Sequence, residues 1–155
     1  MKHLTLILLM TIVFSATAQT ENKNQLNALL DQYVHSIDVA DSALGKAFWS
    51  SKSEISFINP RGNEYGWNGI RNVYAMFANA FNKRKLQYSN EHWTNYGDVA
   101  WVEFNWVFDA VFAHNNKAVQ TKGRETQIWH KEKGAWKLVH IHYSGMPVTE
   151  QEKGF

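Results

Sequence analysis

Cysteine is absent from the 155 residues, which excludes disulfides, thiol chemistry and a lipid-modified N-terminal cysteine. Concentrated basic charge is scarce too. Lys83-Arg84-Lys85 is the one basic cluster in a chain whose charges of both signs are scattered. Nucleic-acid binding asks for a stripe of such residues, so this cluster reads as a solvated strand start. No internal repeat and no linker divides the main body. No apolar run is long enough to span a bilayer as a permanent helix.

The first segment nevertheless reads as an export signal. Met1-Lys2 is a short positive start, Leu4 to Phe14 an apolar run, and Ala16-Thr17-Ala18 a small-x-small cleavage pattern. Residues 1–18 are therefore expected to be a cleaved signal peptide and 19–155 a single domain, periplasmic or secreted. Cleavage removes Lys2 alone, so the formal charge falls from +2 to +1. No membrane association is expected afterwards, and no nucleic-acid partner.

Hydrophobic residues make up 45% and aromatics 14%, with seven tryptophans. That composition suits a packed core and either a heavily buried sheet or a pocket walled by flat rings. Leu26, Leu29, Leu30, Tyr33, Val34 and Ile37 recur at helical spacing, which predicts an amphipathic helix over 21–39. A short helix follows from Asp41 to Phe48, with Asp41 or Ser42 as its cap. Ser53 to Ile58 predicts a strand, Asn59 to Asn63 a turn, and Glu64 to Trp67 a short returning strand. Asn68-Gly69 closes it before a helix over Ile70–Asn82. Four long strands come next: Leu86–Tyr96, Val99–Ala113, Ala118–Lys131 and Ala135–Ser144. Runs of helix before runs of strand define an α+β class with an antiparallel sheet.

The last two strands form the hairpin on which the functional reading rests, Gly123 to Pro147, turning at Lys131-Glu132-Lys133-Gly134. With period two, Glu125, Gln127 and Trp129 share one face, and His140 and His142 share one face of the partner strand. Val139, Ile141 and Tyr143 would make an equally good core face.

Arg124 to His130 and Gly134 to Pro147 resemble the end of the association domain of calcium/calmodulin-dependent protein kinase II. Ser56 to Pro60, Gly62-Asn63, Tyr74, Phe77, Asn90, His92 and Gly97-Asp98 carry the likeness upstream. That domain and the SnoaL-like proteins belong to the nuclear transport factor two-like superfamily. The resemblance implies a cone-shaped barrel, a strongly bent antiparallel sheet wrapped around the N-terminal helices, with a pocket at its wide end. It implies a homodimer, or a higher oligomer, through the outer sheet face. The kinase domain's carboxylate-holding arginines fall here on Trp106 and Gln127, a departure that argues against an acidic ligand. The pocket side is then Glu125, Gln127 and Trp129, facing Val102, Phe104, Trp106 and Phe108, with His140 and His142 on the last strand.

These residues give three readings. The first is an exported small-molecule-binding protein whose ligand stacks on Trp106 and Trp129 and bonds to Gln127 and His142, with His140, Glu125, His92, Tyr65 and Trp67 around it. The second is an isomerase or dehydratase moving a proton on a cyclic or polyketide-like substrate. His142 would be its base, assisted by Glu125, with Tyr65 or a backbone amide polarising a carbonyl. The third is an oligomeric assembly module. Strand spacing of His140, His142, Glu125 and His92 is a thin basis for a metal site, and no metal or cofactor is expected. Asp38 and Asp41 occupy a helix end where some superfamily enzymes carry catalytic carboxylates; a solvated helix end is the plainer reading.

Overall fold

The computed structural model describes residues 23–145, and the expected signal peptide and the tail after Gly145 lie outside the described residues. The chain divides into two compact units, residues 1–31 and 32–155. In the first, helical residues 23–31 bury Leu26 and Leu30, four apart as one helix face requires.

The second unit holds the end of the first helix (α1, residues 23–39), α2 (Ser42–Phe48) and α3 (Gly66–Ala80). Its strands are β1 (Ser56–Asn59), β2 (Gly62–Tyr65), β3 (Phe81–Tyr96), β4 (Val99–Phe112), β5 (Ala118–Glu132) and β6 (Ala135–Gly145). They form one sheet in the order β2-β1-β6-β5-β4-β3. All neighbours are antiparallel except β1 and β6, which run parallel with Ile58 opposite His142. The fold is thus α+β, as expected. The sheet, however, is open: β2 and β3 are its edges, and no pairing among the described residues closes it into a barrel.

Local chemistry explains the boundaries. The Asp41 carboxylate accepts from the backbone N–H of Ala43 at 2.7 Å and Leu44 at 3.4 Å, which caps α2. Asp38 pins the start of β3 instead, accepting from the Leu86 N–H at 2.5 Å and the Lys85 ammonium at 2.8 Å. Helix α3 starts earlier than Ile70 because the first-turn N–H groups need no intrahelical acceptor, so Asn68 and Gly69 are tolerated there. Strand β3 begins directly after α3. Phe81 drives this, its ring lying 5.4 Å from that of Phe108 and 5.2 Å from that of Phe112.

Strands β4 and β5 pair without a register break, so their alternation carries through to burial: Val102, Phe104, Trp106 and Phe108 face the core opposite Glu125, Gln127 and Trp129. Lys133 and Gly134 both take positive φ between the paired Glu132 and Ala135, making a two-residue hairpin turn. In β6 the register slips. Ile128 pairs with His140 but Trp129 with Leu138, which leaves Val139 as a bulge. Trp136 and Leu138 before it point into the core, and so do Ile141 and the half-buried Tyr143 after it.

Candidate ligand site

A cavity of about 320 Å³ lies within the second unit. Phe77, Phe81, Phe108 and Phe112 wall one side, Trp106 and Tyr143 another, and Glu125 and Tyr33 lie at its depth. The aromatic walls are tightly linked. The Phe77 and Phe108 rings meet at 5.6 Å and those of Trp106 and Tyr143 at 5.7 Å, both edge to face. Gly123 makes room for Trp106: a Cβ there would stand 2.6 Å from the indole Cε2 and would overlap the Ser144 carbonyl.

Glu125 is the buried carboxyl of this cavity, 4% exposed. Gln127 Nε2 donates to its Oε1 at 2.8 Å, and the Trp129 indole N–H donates to Gln127 Oε1 at 3.1 Å. An indole nitrogen can only donate, so Trp129 fixes which way the Gln127 amide points. The amide must then present its N–H to Glu125. Tyr33 hydrogen-bonds the same carboxyl. Burial raises the Glu125 pKa to about 7, against the smaller opposing pull of the Gln127 and Tyr33 hydrogen bonds. Burial, then the neighbouring Glu125, holds the Tyr33 phenol well above its ordinary value. The same two causes raise Tyr143, with Arg61 opposing. Near neutrality the site therefore offers a carboxyl divided between its two protonation states beside two neutral phenols.

The residues named from sequence fall into separate places. Glu125 and Trp106 line the cavity, and Gln127 and Trp129 are buried in contact behind the carboxyl. The bulge at Val139 turns His140 and His142 onto the opposite face from Ile141 and Tyr143. There His142 is exposed, and His140 Nδ1 meets Ser56 Oγ at 2.7 Å. Burial, then His142, lowers the His140 pKa. His92 lines a polar groove with Asn90, Glu103 and Arg124. Tyr65 is 63% exposed beside Asn63, and the Trp67 ring carries the Lys46 ammonium 5.5 Å from its centre; neither lines the cavity. Among the described residues no three histidine or acidic side chains converge as a metal site would require.

Tyr33, Tyr143 and Arg61 are among the cavity residues that escaped the sequence reading. Tyr33 looked like one more apolar helix position, Tyr143 followed the parity that the bulge reversed, and Arg61 read as a turn residue. Only the alternative parity of β6, noted for Ile141 and Tyr143, carried a signal.

The chain matches the SnoaL-like domain over residues 26–149. A nuclear transport factor 2-like superfamily protein from Salmonella enterica serovar Typhimurium is 37% identical, with 88% of this chain and 99% of that one covered and a TM-score of 0.78. The protein is a member of the SnoaL-like family within that superfamily. A hexachlorocyclohexane dehydrochlorinase, LinA type 2, shares the fold at 10% identity and a TM-score of 0.72, covering 84% of this chain and 93% of its own. So does a Xanthomonas campestris protein described as a calcium/calmodulin-dependent protein kinase II association domain, at 18% identity and a TM-score of 0.69, over 80% of this chain and 87% of its own. Comparison with curated proteins finds no match.

Proposed function

We propose that the protein binds a small, largely apolar molecule in the cavity above Glu125. One observation carries this reading: a single buried carboxyl, held by Gln127 and Tyr33, lies in a space walled mainly by aromatic and aliphatic side chains. Its volume sits at the low end of the range for small-molecule sites, roughly 300–1,000 Å³. The test is a thermal-shift screen of small aromatic and alicyclic compounds against the wild type and Ala80→Trp, which fills the cavity from α3. A ligand at a hundred times its Kd should add about 2.7 kcal/mol, a shift of several degrees, and the filled variant should lose it. An unchanged shift in Ala80→Trp sinks the assignment.

The near-neutral Glu125 beside Tyr33 and Tyr143 supports a second reading on the same site, an enzyme that moves a proton. A carboxylate base next to a phenol that hydrogen-bonds a carbonyl is a known pattern for abstraction at the adjacent carbon. Deuterium exchange into bound cyclic ketones, followed by NMR, checks it; exchange that persists in Glu125→Gln excludes Glu125 as the base.

The reading extends to export and to a homodimer. Export rests on the residue 1–18 pattern, and N-terminal sequencing of the periplasmic fraction tests it. The dimer rests on the outer sheet face, where Trp101 stacks on Tyr96 at 5.5 Å and Tyr96 is 71% exposed.

A further inference from the structure

The cavity's two charged ends have a consequence for what it selects. Strand register sets Trp106, Gly123 and Gly145 in one row across β4, β5 and β6. The parallel pairing of Ile58 with His142 carries the turn after β1 up to that row, which brings Arg61 to the same end of the cavity as Trp106. Arg61 and Thr121 are exposed where Glu125 and Tyr33 are buried, so this end is the mouth.

Arg61 lines the mouth with its guanidinium uncommitted. Its backbone N–H is held by Asn59 Oδ1 at 2.9 Å, which fixes the turn. Its Nη1 reaches the Met76 thioether at 3.4 Å, a feeble acceptor for a cation. Among the described residues no carboxylate pairs with it. A planar, permanently charged fork at the rim of an apolar cavity matches a carboxylate in two-point geometry. The Glu125 end, about two strand residues or roughly 7 Å deeper along β5 than Gly123, is the wrong place for a second negative charge.

We infer that the cavity takes a monoanionic ligand: a one- or two-ring apolar body carrying one carboxylate, held at the mouth by Arg61, with the uncharged end toward Glu125 and Tyr33. This deepens the binding function proposed above and rests on it. It also supplies the positive charge that is missing at Trp106 and Gln127, from the turn between β1 and β2.

Isothermal titration of the purified protein with naphthalene-2-carboxylate and naphthalene-2-carboxamide separates charge from shape. At pH 6, where the Glu125 carboxyl is mostly uncharged, the wild type should bind the acid about tenfold tighter than the amide, as a hydrogen-bonded charge implies. Arg61→Gln, at an exposed turn, should bring the two within about twofold by weakening the acid more than the amide, and Arg61→Lys should fall between. Amide binding with no advantage for the acid, or an advantage that survives Arg61→Gln, overturns the inference and leaves the cavity assignment standing. If neither compound binds, both fall together.

Discussion

Replacing Glu125 by glutamine should remove a loss of stability that the wild type suffers as pH rises. The carboxyl is fully enclosed, and its pKa is about 7 in the folded chain against an ordinary 4.5. A raised carboxyl pKa means the folded state binds the proton more tightly than the unfolded one. The stabilisation is therefore complete below about pH 4.5 and is lost as pH rises through about 7. At about 1.4 kcal/mol per pKa unit the loss is roughly 3 kcal/mol. Glutamine keeps the shape, accepts from Gln127 and Tyr33 through its oxygen, and does not titrate. The wild type minus Glu125→Gln difference thus isolates this one group from every other titration. Expressed in melting temperature, for a chain of this size, the variant should gain roughly 6–12 °C on the wild type between pH 4.5 and 8. Differential scanning calorimetry across that range measures it. Parallel Tm curves for the two proteins would show that Glu125 is not desolvated as described, and the proton-transfer reading would go with it.

Other perturbations test separate parts of the account. Tyr33→Phe removes a donor that favours the charged carboxylate, so the Glu125 pKa should move further upward, by about half a unit to one unit, read by ¹³C NMR of the labelled side chain. Gly123→Ala forces a methyl against Trp106 and the Ser144 carbonyl and should cost about 1–3 kcal/mol in urea unfolding while abolishing ligand binding; a neutral result refutes the close approach. Asp41→Ala should cost about 1 kcal/mol, with Asp41→Asn recovering most of it, because the role is capping and not chemistry. Trp101→Glu on the outer face should shift sedimentation toward monomer without changing cavity binding.

Legibility from sequence followed the regularity of the ladder. Strands β4 and β5 pair thirteen residues deep without a break, so alternation grouped Phe104 with Trp106 and Glu125 with Gln127, and the family resemblance then turned those faces to the core. One extra residue in β6 defeated the same rule next door. A bulge leaves no composition signal in a stretch as uniformly β-prone as Lys137 to Tyr143, and its effect is to invert every later side chain. The α+β class survived this because it depends on which elements exist. The inventory of the site did not, because it depends on parity. Tyr33 and Arg61 were hidden for another reason: they reach the cavity from a helix and a turn remote in sequence, and local periodicity says nothing about what those segments will meet.

The Val139 bulge also bears on how such pockets diversify. Were Val139 taken into the ladder instead, β6 beyond it would slide by one residue past β5, carrying Ile141 and Tyr143 to the outside and presenting His140 and His142 to the space beside Glu125. One step of strand register thus separates a wall of Ile141 and Tyr143 from a pair of imidazoles. Whether the extra residue is bulged out or paired, more than the identity of any one side chain, decides which of the two faces this strand turns to the pocket.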